Sequence, residues 1–157
     1  MKITNQQELD KLIATADKTN TIILDEDLEI TFDCEIPGSI KVYGDIDAWK
    51  IKAYGDINAY NIDAHNITAG SNINAGNIID AHNIKAHNII ARNIKAHNIK
   101  YYSFCIAYQS LKCESISGTR KNSFHKCLDQ EIEIVKKEEK VTIELTQEQL
   151  DKIKHSI

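Results

Sequence analysis

Residues 44–100 read GDIDAWKIKAYGDINAYNIDAHNITAGSNINAGNIIDAHNIKAHNIIARNIKAHNIK, and this stretch decides the fold. One phrase recurs through it: an aspartate or asparagine, an isoleucine, a polar residue, an alanine. The isoleucines stand at 46, 51, 57, 62, 67, 73, 78, 84, 89, 94 and 99, and an alanine follows two residues later in most units. Asn or Asp precedes the isoleucine in ten of these eleven units, Lys50 being the exception. Ile-x-Ala has the two-residue period of a strand, so both side chains fall on one face and the residue between them points away. Asn suits a corner, because it tolerates left-handed backbone and bonds its own main chain. A helix is excluded, since a step of five would carry the isoleucines around every side of it. The expected fold is an all-β solenoid, or β-helix, in which short sides stack coil on coil.

Spacing sets the number of sides. Ile46, Ile62, Ile78 and Ile94 are 16 residues apart, as are Ile57, Ile73 and Ile89. Ile51, Ile67, Ile84 and Ile99 follow at 16, 17 and 15. One extra residue falls in each of the steps 51–57, 67–73 and 78–84. This favours a three-sided coil over a four-sided one.

These units resemble the pentapeptide-repeat family, in which Asn or Asp likewise precedes a large aliphatic residue. That resemblance implies a four-sided right-handed coil. The chain is also similar to a group of uncharacterised proteins from Firmicutes genomes and their phages. The similar segments are 21–46, the NIxA array and 101–118. The similarity implies a phage or prophage setting, where small proteins often act by binding a host defence or replication protein.

A bare solenoid end is an exposed sheet edge and calls for a cap. Three regions are expected: a cap of helix and strand over 1–37, the solenoid over 38–118, and a loop, hairpin and helix cap over 119–157. Thr4-x-x-Gln7 reads as a capping box opening a helix over 5–17, with Leu9, Leu12, Ile13 and Ala16 on one face. Strands are expected at 21–24 and 28–36. Beyond Lys100, anchors are expected at Ile106, Leu111 and Ile116. Residues 119–128 read as a basic loop, 131–145 as a hairpin, and Thr146-x-x-Gln149 as a second capping box.

The 157 residues carry 23 acids against 19 Lys and Arg, a net charge of −4, which speaks against direct binding of nucleic acid. Charge is uneven: nine acids and three bases lie in 1–37, six acids and eight bases in 38–118. No apolar run reaches the ~18 residues of a membrane span, and no secretion signal is visible. The four cysteines (34, 105, 113 and 127) show no paired motif and read as the reduced thiols of a cytoplasmic protein, and the phage resemblance implies that the cytoplasm is that of a bacterial host cell.

The pointed feature is a column formed two residues before successive anchors: Trp49, His65, His82 and His97. Coils about 4.8 Å apart would line these rings along one corner. Such a His ladder is a candidate metal or anion site or pH switch, although zinc calls for convergent ligands rather than a row. Cys105, Cys113, His125 and Cys127 match no zinc spacing, and Cys113 occupies an alanine position. No metal or cofactor is expected. Ile79 and Ile90 break the polar rule of the outward positions, and with Trp49, Tyr54 and Tyr60 they form a candidate partner surface. P-loop, nucleophile-elbow, metalloprotease and Rossmann patterns are absent, so no catalytic residue is assigned and an enzyme is not expected.

The expectation is a non-enzymatic binding protein presenting a rigid solenoid surface. Its concrete form, implied by the phage resemblance, is an inhibitor of a host defence system of the anti-CRISPR type, acting by protein–protein contact on a host protein or nucleoprotein complex. Alternatives are a DNA mimic that binds a host DNA enzyme such as gyrase, as the pentapeptide-repeat resemblance implies, or a self-assembling structural solenoid. A homodimer through a solenoid end is also open.

Overall fold

An Ile-x-Ala strand cannot bury its inner face or satisfy its backbone alone, so each coil needs another above and below it. The computed structural model describes residues 1–135, apart from the side chains of Ile79 and Asp80. The expected hairpin beyond residue 135 and the Thr146-x-x-Gln149 helix lie outside the described residues. In chain order the elements are β1 (Lys2–Ile3), α1 (Gln6–Ile13), β2 (Thr21–Leu24), β3 (Leu28–Ile36), β4 (Ser39–Val42), β5 (Ile46–Ala53), β6 (Ile57–Ala69), β7 (Asn72–Gly118), β8 (Phe124–Cys127) and β9 (Glu133–Ile134). The longer strands are continuous extended backbone that turns the solenoid's corners.

Among the described residues the paired strands run parallel, and their register counts the sides. Ile46 pairs with Ile62 and Ile51 with Ile67. Ile57 pairs with Ile73, Ile62 with Ile78 and Ile67 with Ile84. Three anchors therefore pass before the chain returns above its start, and the coil is three-sided, with about 16 residues per turn as the spacing predicts. We number the sides by their anchors: the first carries Ile40, Ile57, Ile73 and Ile89, the second Ile46, Ile62, Ile78 and Ile94, the third Ile51, Ile67, Ile84 and Ile99. All twelve are buried. Each contributes about 1.5–3 kcal/mol of burial before chain entropy is charged against it. No charged or polar residue is fully buried among the described residues.

The solenoid begins earlier and ends later than the NIxA wording. Thr21–Leu24 pairs with Ser39–Val42, and Leu28–Ile36 pairs with β5. Here Leu24, Ile30, Ile36 and Val42 occupy the slots that alanine fills later. At the other end, Phe124–Cys127 is a strand beside Phe104–Ala107, not part of a loop. Glu133–Ile134 likewise lies parallel to Lys112–Cys113. One anchor is displaced: Cys105 and Ala107 point inward and Ile106 is half-buried. The step from Ile99 to Cys105 takes six residues, as the steps 51–57 and 67–73 do, and Tyr101 fills the alanine slot. Gly118 lies over that ring, where a Cβ would meet Tyr101 Cε2 at 2.8 Å.

Asparagines run up the corners as hydrogen-bonded ladders. Asn77 Nδ2 donates to Asn61 Oδ1 at 2.6 Å, and Asn93 Nδ2 to Asn77 Oδ1 at 2.7 Å. Asn61 Nδ2 donates in turn to Asp45 Oδ1 at 2.9 Å, and Ser110 Oγ closes the far end on Asn93 Oδ1 at 2.7 Å. A second ladder runs Asn66, Asn83, Asn98, Ser115. A third runs Asp56, Asn72, Asn88. Each amide gives its proton to the coil before it. An acceptor-only aspartate suits the head of such a row, and a serine hydroxyl suits its tail. Among the described residues Asn88 Oδ1 alone is left buried without a donor. The residue 16 further on is Phe104, which stacks on Phe124 with centroids 5.9 Å apart and has no proton to give.

The capping box is shifted by one residue from the expected Thr4-x-x-Gln7. Asn5 is the N-cap and accepts from Glu8 N at 3.0 Å, while Glu8 Oε2 accepts from Thr4 N at 2.7 Å. A carboxylate accepts more strongly than the Gln7 amide would. Leu9 and Leu12 bury the inner face of α1.

Candidate functional site

On the second side each strand presents two outward columns. The residue after the anchor gives Glu29, Asp47 and Asp63 in register. The residue after the alanine gives Trp49, His65, His82 and His97. Parallel stacking brings successive rings of this second column together. Trp49 lies on His65 with centroids 4.5 Å apart and planes 3° from parallel. His65 lies on His82 at 4.8 Å and 9°. His82 and His97 keep 4.8 Å but tilt by 35°. His97 Nδ1 then meets Glu114 Oε1 at 2.8 Å.

This geometry bears on metal binding. The in-plane lone pairs of His65 and His82, whose rings lie 9° from parallel, run side by side, whereas zinc calls for converging nitrogens. Among the described residues no group of three or more His, Cys, Asp or Glu converges as a metal site. Cys34, Cys105, Cys113 and Cys127 are free and buried. Burial pushes the Cys34 thiol up to about 11 and the Cys105 thiol up to about 12. His125 leaves the cysteines for Tyr101, whose hydroxyl meets its Nδ1 at 2.8 Å.

The aromatic and acidic columns border a shallow groove of about 400 Å³, lined by Glu29, Thr31, Asp47, Trp49, Asp63 and His65. Trp49 is 60% exposed there although one face of its ring is covered by His65. Lys2 pairs with Glu29 at 2.5 Å at the end of the acidic column. Further along the same side the sign reverses, with Lys112 paired to Glu133 at 2.5 Å.

The other expected surface residues are distributed around the coil. Tyr54 follows Ala53 on the third side and is held in a polar cluster: Lys52 Nζ donates to its hydroxyl at 3.0 Å, and that hydroxyl donates to Glu35 Oε2 at 3.2 Å. The Lys52 hydrogen bond holds the Glu35 carboxyl below the usual range, and its bonds to Tyr54 and Glu35 raise Lys52. Tyr60 follows Ala59 on the first side and is 62% exposed. Ile90, also on the first side, is half-buried. The Ile79 side chain lies outside what is described. The structure thus joins Trp49 to the three histidines and sets Tyr54, Tyr60 and Ile90 apart from them. Sequence reasoning missed the acidic column beside Trp49. Its signal was present in Glu29, Asp47 and Asp63, each one residue after a second-side anchor.

No protein-family model, curated protein or solved structure matches this chain. Among the described residues no helix is long and apolar enough to cross a membrane.

Proposed function

We propose that this chain is a non-enzymatic binding protein whose second side docks another protein through a basic segment. The observation that carries this reading is Trp49, exposed yet held flat on His65, beside the carboxylates of Glu29, Asp47 and Asp63. A ring fixed in place loses little freedom on binding, and aromatic residues dominate interface energetics. The open face of an indole also attracts Arg and Lys, and the carboxylates alongside complement them. The phage resemblance gives the reading its concrete form: an inhibitor of the anti-CRISPR type that occupies a basic surface of a host defence complex in the bacterial cytoplasm. The test is retention of host nuclease complexes on immobilised protein. Wild type should retain its target, and Trp49→Ala and Asp47→Lys should lose it with the fold unchanged. Retention by both variants would remove the second side from consideration.

The acidic column favours a second reading, mimicry of nucleic acid toward a host DNA enzyme such as gyrase. Its carboxylates stop at Asp63, and lysines take over the column at Lys95 and Lys112, so this charge row is short for the purpose. Competition between the protein and duplex DNA for gyrase separates the two readings.

A further inference from the structure

The corner between the third and first sides is not uniform. The steps Ile51 to Ile57, Ile67 to Ile73 and Ile99 to Cys105 each take six residues, whereas Ile84 to Ile89 takes five. One coil therefore turns this corner a residue short, and the coils on either side overhang it. His87 N bonds Ser71 O at 2.7 Å, which leaves Gly70 as the extra residue of the coil before. Gly70 cannot carry a side chain into the gap, because a Cβ there would lie 2.0 Å from Tyr54 O. The result is a groove of about 640 Å³ with Ala69 and Ala86 among its lining and Thr68, Lys85, His87, Lys100 and Tyr102 around it.

Its chemistry is one-sided. Lys85 and Lys100 follow one another in the outward column of the third side, on coils about 4.8 Å apart. The lysine earlier in that column, Lys52, is neutralised by Glu35 at 3.2 Å. Among the described residues no carboxylate meets Lys85 or Lys100, and no acid lines the groove. Two lysines on successive coils, with no carboxylate against either among the described residues, favour an oxyanion between them. The His87 and Tyr102 rings, 4.5 Å apart and tilted by 49°, form an aromatic wall beside them. The volume is that of a small-ligand pocket, with apolar methyls and rings joined by a few polar groups.

We propose that this groove binds a phosphate monoester carrying a planar ring, the chemistry of a mononucleotide, with Lys85 and Lys100 on the phosphate and Tyr102 against the ring. It lies away from the Trp49 groove and does not depend on the reading of the second side.

The test is an amide chemical-shift titration of the full chain with AMP, inorganic phosphate and adenosine. AMP should bind saturably, shift the amides of Lys85, His87, Lys100 and Tyr102, and bind more tightly than either fragment. Lys85→Gln and Lys100→Gln, both at exposed positions, should each weaken AMP by about tenfold. Tyr102→Leu should weaken AMP by about tenfold and leave phosphate unchanged. A glycine inserted between His87 and Asn88 restores the six-residue corner and should abolish binding with both lysines in place. Absence of saturable shifts, or AMP affinity undiminished in the Lys85→Gln/Lys100→Gln double variant, would overturn the site. Equal affinities for AMP and phosphate would overturn its assignment to a nucleotide.

Discussion

Trp49 lies flat on His65, centroids 4.5 Å apart and planes 3° from parallel, because the two residues occupy the same position on successive coils. Register alone brings the rings together. The same geometry continues through His82, so the indole is the exposed end of a stack and not an isolated surface aromatic.

Trp49→Ala should therefore separate binding from stability. Loss of one stacked contact costs about 0.5–1.5 kcal/mol, whereas removing a central interface anchor costs about 2 kcal/mol or more of affinity. Thermal melting and partner affinity, measured on the same variant, check both. A large fall in melting temperature would mean the column serves the fold more than recognition.

The asparagine ladders have a direction, and substitutions should feel it. Asn77→Ala removes a donor to Asn61 and an acceptor for Asn93. It should cost about 1–3 kcal/mol in denaturant unfolding, since it strands part-buried groups on both neighbours. Asp45→Asn at the ladder's head keeps the oxygen that accepts from Asn61 and should stay within about 0.5 kcal/mol of wild type.

Ile73 stands in the middle of the first-side column and is buried. Ile73→Val should cost about 0.5–1.5 kcal/mol and Ile73→Ala about 2–5 kcal/mol in the same experiment. By contrast, the half-buried outward Ile90 should tolerate Asp with little loss, because its inward neighbours Ile89 and Ala91 hold the coil.

The thiols predict alkaline behaviour. Cys34 and Cys105 are raised by burial to about 11 and about 12, above the ~8.5 of an unfolded cysteine. The unfolded chain then loses these protons first, so their contribution is fully present below about pH 8.5 and declines as pH rises toward the folded values. Melting temperature should fall over that window, and Cys105→Ala should flatten the fall while lowering the neutral-pH value. Thiol reagents should label the native protein slowly near neutral pH and all four cysteines once it is denatured. Rapid native labelling would contradict the burial.

The solenoid and its three sides were legible because Ile46, Ile62 and Ile78 repeat at the coil length with a small alanine slot beside each. The earliest coils were legible as strands but not as coils. Leu28, Ile30, Cys34 and Ile36 alternate correctly, yet lack the Asn-before-Ile signature, since Asp33 and Asp27 head the corners there. Past Ile99, the aliphatic side chain of Ile106 invites an anchor reading although it stands seven residues on, outside the five- and six-residue steps of the array. The chain instead lets Tyr101 take the alanine slot and shifts the inward set to Cys105 and Ala107. The Trp49–His column was readable as a column, because position along a coil is a matter of counting. That Tyr54 is tied to Lys52 and Glu35 depends on rotamers, which counting does not give. The short corner at His87 was also countable, but its meaning depends on comparing it with the corners above and below.

One consequence follows from the ladders. Excising residues 78–93 would join Asn77 to Ile94 and give each surviving rung the kind of neighbour it has now, whereas excising a single five-residue unit would swing everything downstream onto the wrong side of the triangle. The heritable module of this protein is thus the whole turn, and variants that differ in length should differ by whole turns.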